Sequence, residues 1–136
     1  MRIKTIKLED AKKTSPKLEL LFARYADCLL AQISQSVACN ATHTIEQRTA
    51  KWLATALDHT GSDAVSLTQD QLAGLLGVGR SYVGRVVSQL KSAGALETER
   101  GKMRVRNLRE LKKHSCGCNE LVRAHFDDVL QGAYPS

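Results

Sequence analysis

The sequence predicts a mostly α-helical fold in which two short helices bent around a glycine are followed by a small β-hairpin and preceded by one long helix. Three features carry that expectation: the segment Thr68 to Leu90, TQDQLAGLLGVGRSYVGRVVSQL; the alternating runs Leu96-Glu97-Thr98-Glu99 and Lys102-Met103-Arg104-Val105; and an apolar stripe from Leu18 to Val37. The 136 residues suffice for one domain of ordinary size with an extension, and are too few for two domains with separate cores.

Residues 1–14 are basic, and the alternation of Ile3 and Ile6 predicts an irregular arm or a remnant strand. Ser15-Pro16 then opens a helix, Ser as N-cap and Pro at the first helical position, where its missing N–H costs nothing. Leu18, Leu21, Phe22, Tyr25, Leu29, Ile33 and Val37 recur at spacings of three and four. They describe a helix of roughly 24 residues and about 36 Å with one continuous apolar stripe. Such a stripe wants a partner, and no other segment is as long. The natural partner is the same helix in a second copy, so Leu18, Leu21, Phe22, Tyr25, Leu29 and Ile33 are the candidate dimerisation residues over 15–41. The alternative is that the stripe lies on the core of its own domain. Cys28, at helical spacing from Tyr25, is most simply a seam or core residue.

Asn40-Ala41-Thr42-His43 interrupts the pattern as a hinge. A domain over 42–113 follows. Thr44 and Gln47 form a capping box for a helix carrying Ile45, Arg48, Trp52, Leu53 and Leu57, with Trp52 as core anchor and an end near Gly61. A polar turn and a short extended piece, Ser62 to Leu67, lead to the helix pair. Thr68 and Gln71 make a second capping box, Leu72, Ala73 and Leu76 form the inner face, and Gly77 supplies a turn residue free to take positive φ. Val83, Val86 and Leu90 are the inward stripe of the second helix, which leaves Arg80, Ser81, Tyr82 and Arg85 outward near its N-terminus. In a DNA-reading helix-turn-helix those positions meet base edges. Ala93-Gly94 ends the helix. Leu96, Thr98, Met103 and Val105 face inward on the hairpin, with Arg100 and Lys102 near its tip. Three helices and a basic hairpin are the parts of a winged helix. A short helix through Lys112 leads to a C-terminal segment, 114–136, with an amphipathic helix through Leu121, Val122, Phe126 and Val129 and a fraying end from Ala133.

Charge points to a polyanionic partner. The chain carries 20 Lys+Arg against 14 Asp+Glu, net +6. Seven basic residues (Arg80, Arg85, Lys91, Arg100, Lys102, Arg104, Arg106) and two acidic ones (Glu97, Glu99) put a net +5 on the helix pair and hairpin. The N-terminal basic group, Arg2 to Lys17, reads as a solvated flank. Enzymatic constellations are missing. Gly74, Gly77, Gly79 and Gly84 belong to the helix pair and lack the Lys-Ser/Thr ending of a phosphate loop. Asp127 and Asp128 are adjacent and point to different helix faces. Four cysteines, no apolar run of membrane-spanning length and no signal sequence at Met1 predict a cytoplasmic protein with reduced thiols and no membrane partner. His114, Cys116 and Cys118 are weak metal-ligand candidates, because C-x-C fits the usual zinc spacing poorly and Cys28 and Cys39 lie far along another element. No metal or other cofactor is expected.

From about Ser15 to about Leu130 the chain resembles the C-terminal half of Crp/Fnr-type bacterial transcription regulators. The resemblance rests on LLFARYADCLLAQ, VACNATHTIEQRTAKWL, LTQDQLAGLLGVGRSYVGRVVSQL and GALETERGKMRV, in that order. It implies a long dimerisation helix, a second motif helix in the major groove and a two-fold symmetric DNA site. Arg80 and Arg85 fall where the family often contacts bases or phosphates, and Arg presents two donors to guanine O6 and N7. Ser81 stands where many members carry an acidic residue, so their preferred bases do not transfer. Nearly all of the β-roll sensor domain of family members is outside these residues, with 1–14 at most its tail, so the expectation is either a fragment of a longer regulator or a sensorless one, with no cyclic nucleotide bound by this chain.

The leading expectation is therefore a homodimeric, sequence-specific regulator of transcription and no enzyme, with double-stranded DNA as partner and RNA polymerase a candidate second one. Arg80, Ser81, Tyr82 and Arg85 are its candidate base contacts; Thr68, Gln69, Arg100 and Lys102 are its candidate phosphate contacts. The alternative is a metal- or redox-responsive regulator using Cys116 and Cys118.

Overall fold

Side-chain caps and glycine stops set where most helices of this chain begin and end. The computed structural model describes residues 4–133. Its helices are α1 (Thr5–Thr14), α2 (Pro16–Thr42), α3 (Ile45–Thr60), α4 (Gln69–Leu76), α5 (Arg80–Ser92), α6 (Leu108–Lys113) and α7 (Cys118–Val129), and its strands β1 (Ala64–Val65), β2 (Leu96–Glu99) and β3 (Lys102–Val105). The mostly α winged helix-turn-helix with a long preceding helix is thus the observed fold. The chain divides into two units, one of the segments Met1–Val37 and Glu120–Ser136, the other of Ala38–Asn119.

In the second unit, Thr44 and Thr68 cap α3 and α4 through reciprocal bonds with Gln47 and Gln71. The C-terminal ends of α4 and α5 close alike. Val78 N–H returns to the Ala73 carbonyl at 3.1 Å and Gly77 N–H to Gly74, while Ala95 N–H returns to Leu90 at 3.0 Å and Gly94 N–H to Lys91. This is the Schellman closure, which needs a left-handed residue; Gly77 (φ 69°) supplies it at the first end. The core is continuous from α3 (Leu53, Leu57) through α4 (Leu72, Leu76) and α5 (Val83, Val87, Leu90) to the sheet (Leu96, Met103, Val105) and Leu111 of α6. Trp52 and Val78 are partly buried against it, so Trp52 sits at the core's margin.

The sheet has three strands in the order β1-β3-β2, all antiparallel. The extended piece before α4 is therefore the strand β1, pairing Ala64 with Arg104 and Val65 with Met103. Leu96, Met103 and Val105 are buried as predicted; Thr98 is half-buried and accepts from Lys91 Nζ at 3.2 Å.

Two expectations about the first 43 residues are corrected. The basic arm is the helix α1 from Thr5, with no buried residue. Two alternating isoleucines are too short a pattern to specify a strand, and the Lys, Leu, Glu and Ala of this stretch are good helix formers. Ile3 lies outside the described residues, as do 134–136 of the expected fraying end. The long helix also runs on to Thr42, through the hinge expected at Asn40. The Thr42 hydroxyl donates to the Ala38 carbonyl at 2.8 Å, keeping its polar group inside the last turn. Of the stripe, Leu18 and Leu21 are half-buried, Phe22, Tyr25 and Leu29 are exposed, and Ile33 and Val37 are 61% and 65% exposed. Tyr25 meets Phe126 of α7 edge-on at 6.3 Å, Lys12 Nζ lies 5.5 Å from the Phe22 ring centre, and His125 Nε2 lies 2.8 Å from Asp27 Oδ2. Part of the stripe is therefore covered within its own chain. Cys28 is fully buried, and that burial raises its thiol pKa.

Two glycines of α4 and its turn should respond to alanine with opposite sign. Gly77→Ala, at φ 69°, should cost about 1–2 kcal/mol in urea unfolding. Gly74→Ala, in an open helical position, should stabilise by roughly 0.5–1 kcal/mol.

Candidate nucleic-acid interface

The helix pair presents its outward residues because its inward ones are fully committed. Leu72, Ala73 and Leu76 on α4, and Val83, Val86, Val87 and Leu90 on α5, are all buried. Arg48 of α3 donates from Nη2 to the Leu76 carbonyl at 3.1 Å, which satisfies an orphan carbonyl at the end of α4 and ties the motif to the helix behind it. Arg80, Ser81, Tyr82 and Arg85 are left exposed over the first two turns of α5. Tyr82 is 40% exposed, and the Arg85 guanidinium lies over its ring at 5.1 Å. That cation–π contact restricts Arg85 before any ligand arrives.

Two adjoining grooves connect these residues to the predicted phosphate contacts. One is lined by Gln69, Ser81, Gly84, Arg85, Ser88 and Gln89. The other contains Thr68, Gln69, Asp70 and Arg80 together with Thr98, Gly101 and Lys102 of the hairpin. Gln69 belongs to both, so the start of α4, the exposed face of α5 and the wing form one surface. Ser88 and Gln89 are absent from the sequence prediction. The spacing of Ser81, Arg85 and Ser88, four and then three residues, is the signal that would have extended the face by one turn.

Electrostatics on this surface are less basic than the sequence suggests. Arg104 pairs with Asp63 and with Glu99, Arg106 Nε with Glu97 at 2.8 Å, and Arg80 Nε with Asp70 at 3.3 Å. Glu99 and Asp63, by hydrogen bonding, hold the Arg104 proton more firmly than usual. Counting Asp63 and Asp70, which folding adds to the region, the excess falls from +5 to +3. Among the described residues Arg85, Arg100 and Lys102 have no carboxylate partner. The Thr68 hydroxyl accepts from the Gln71 N–H at 3.2 Å and keeps its own O–H, so what α4 offers a phosphate is that hydroxyl donor, the backbone N–H at Gln69 and the side chain of Gln69.

A second cluster lies elsewhere in the same unit. Cys116 and Cys118 meet Cys39, at the end of α2, and His43, just beyond it; the four ligand atoms lie within 4.8 Å of one another. Cys39 Sγ is 3.7 Å from Cys116 Sγ, and Cys118 Sγ is 3.5 Å from His43 Nδ1. Lys51 Nζ donates to Cys39 Sγ at 3.3 Å. Burial pushes the Cys39 thiol up, but hydrogen bonds from Lys51, Cys116 and Cys118 outweigh it and leave the group below its usual range. Burial, reinforced by the side-chain hydrogen bonds with Cys39 and Cys118, pushes Cys116 up to about 11. Two sequence expectations change here. His114 is not in the cluster, because its Nδ1 lies 2.6 Å from Glu46 Oε1. Cys39, 77 residues from Cys116, is next to it, because α6 packs against α3, which begins just after α2 ends.

A Crp-like helix-turn-helix domain model matches residues 47–114, half of the chain. Among solved structures the chain is similar to a Crp/Fnr-family protein from Eubacterium rectale assigned as a transcriptional regulator, at 19% identity and TM-score 0.60 over 79% of this chain and 50% of that one. It is also similar to a Crp/Fnr-family transcriptional regulator from Thermus thermophilus, at 25% identity and TM-score 0.56 over 63% of this chain and 47% of that one. The chain spans about half the length of these structures. Comparison with curated proteins gives no match.

The capping box that positions the start of α4 has a measurable value. Thr68→Ala should lower stability by about 1 kcal/mol in denaturant unfolding, by freeing the Gln71 N–H and loosening the Gln71 side chain from the Thr68 N–H.

Proposed function

The chain belongs to the family of the Crp-like helix-turn-helix domain, and on that premise we propose that it is a sequence-specific DNA-binding transcription regulator acting as a homodimer on a two-fold symmetric site. One observation carries the reading: Arg80, Ser81 and Arg85 of the base-contact candidates and Thr68, Gln69 and Lys102 of the phosphate-contact candidates line two grooves that share Gln69 on α4, α5 and the hairpin.

In this reading α5 enters the major groove with Arg80, Ser81, Tyr82 and Arg85 toward the base edges. Arg85 is the principal reader. It has no carboxylate to release, and its stacking on Tyr82 reduces the freedom lost on binding. Arg80 exchanges its exposed pairing with Asp70 for a base or phosphate. Ser81 supplies a hydroxyl that donates or accepts, which tolerates more than one base and fits its departure from the acidic residue common at this position. The start of α4 at Thr68 and Gln69 and the wing at Arg100 and Lys102 hold the backbone on either side and set the register.

The exposed stripe of α2 supports the dimer. Leu18, Leu21, Phe22, Tyr25, Leu29 and Ile33, continued by Leu30 and Val37, leave more apolar surface open to water than a lone helix needs. Pairing two such helices gives a two-fold axis and recognition helices about one DNA turn, roughly 34 Å, apart. A role on DNA fits a cytoplasmic protein, and among the described residues no helix is long and apolar enough to cross a membrane.

Arg85→Ala should weaken binding to the preferred duplex by about 1–3 kcal/mol in fluorescence anisotropy, with much less effect on unrelated duplexes. Unchanged affinity would remove Arg85 from the readout. Lys102→Ala should instead weaken binding to all sequences alike and reduce the salt slope by about one. Ile33→Glu combined with Val37→Glu should convert the dimer to monomer in sedimentation velocity; a persistent dimer would place the seam elsewhere.

A further inference from the structure

We propose that Cys39, His43, Cys116 and Cys118 bind a single zinc ion as a closed tetrahedral site. The donor set is the first argument. Three thiolates and an imidazole suit zinc and disfavour magnesium and calcium, and a full set of four protein ligands is the structural pattern. Geometry is the second. Zinc–sulfur bonds of about 2.3 Å and zinc–nitrogen bonds of about 2.0–2.1 Å place tetrahedral ligand atoms roughly 3.5–3.8 Å apart. Cys39 to Cys116 at 3.7 Å and Cys118 to His43 Nδ1 at 3.5 Å already match opposite edges of that figure. With all four atoms within 4.8 Å, the remaining edges close by at most about 1.3 Å. A disulfide, at about 2.05 Å, is a much poorer description of the Cys39–Cys116 separation.

The surroundings fit the same ion. The three cysteines are buried as a cluster separate from the main core, so they do not serve as gap-fillers within it. His43 N–H bonds the Cys39 carbonyl at 3.1 Å, which continues the helical spacing and puts both ligands on one side of the end of α2, one turn apart. Immediately after it, Thr44 caps α3, so His43 is held between two helices. Gly117 separates the other two ligands, and Cys118 is the first residue of α7. Three thiolates around a divalent ion leave one negative charge, and the Lys51 ammonium, 3.3 Å from Cys39 Sγ, stands where it would be balanced. Binding exchanges the waters of aqueous Zn²⁺ for the four side chains and releases the remaining thiol protons to solvent, with no change of oxidation state. The ion would join the ends of the unit, since Cys39 follows its first residue, Ala38, and Cys118 precedes its last, Asn119.

The test uses the untagged full chain, purified under reducing conditions without chelator. Elemental analysis should give about one zinc per chain. After removal of zinc, added Co²⁺ should produce thiolate-to-cobalt charge transfer in the near ultraviolet and the intense visible bands of tetrahedral coordination. Cys116→Ser, Cys39→Ser and His43→Gln should each lose most of the zinc, whereas Cys28→Ala, outside the cluster, should keep it. A wild-type chain that holds no stoichiometric zinc and gives no cobalt–thiolate band overturns the proposal, and neither reading depends on a variant folding. Iron with sulfide in place of zinc, or full zinc in the Cys116→Ser, Cys118→Ser double variant, overturns it as well.

Discussion

Gly77 takes φ 69°, which lets Val78 N–H reach back to the Ala73 carbonyl and turns the chain from α4 into α5 with almost no linker. A side chain there would meet no neighbour, so the constraint lies in the backbone alone. Everything on the exposed surface inherits its position from this turn. It determines which residues of α5 go to the core, and by exclusion that Arg80, Ser81, Tyr82 and Arg85 face outward. Arg48, bonded to the last carbonyl of α4, and Ala73, small and buried, hold the crossing from behind. The exposed residues are thus placed by the packed core beneath them, and in the proposed reading that placement serves discrimination between base pairs.

Charge on that surface is divided between building and binding. Arg104 is held by Asp63 and Glu99 and bridges the turn before β1 to the hairpin, while Arg106 is held by Glu97. These cations stabilise the wing's geometry and have less to offer phosphate. In the proposed reading, the salt-sensitive part of DNA binding would come from fewer residues than a count of Lys and Arg implies, with Arg85, Arg100 and Lys102 foremost. Ser81 acts in the opposite sense, by leaving no fixed charge beside Arg80 on α5.

Local signals in the sequence are strong enough to specify most of the fold. Capping boxes at Thr44 and Thr68, the stops at Gly61, Gly77 and Gly94, and the spacing of Val83, Val86 and Leu90 all depend on residues within one or two turns of each other. What is illegible depends on contacts across long stretches of chain. The pairing of β1 with β3 joins residues about forty apart, and two residues of strand carry no period. Asp63 cannot be assigned to Arg104 from spacing for the same reason. The cysteine site is the extreme case. Its two halves lie 77 residues apart, each half alone is a poor ligand motif, and His114, nearest in sequence, is taken by Glu46. At the N-terminus the reason is of another kind, since a two-residue alternation carries less information than the helix-forming composition around it.

In the proposed reading, two copies of this surface read DNA together across a two-fold axis. Selection of bound duplexes from a random double-stranded pool by the purified full chain tests it most directly. The expected outcome is an inverted repeat whose half-sites are centred about 10 base pairs apart, or one helical turn. Recovery of no preferred sequence, or of a single half-site with no symmetric mate, would contradict it.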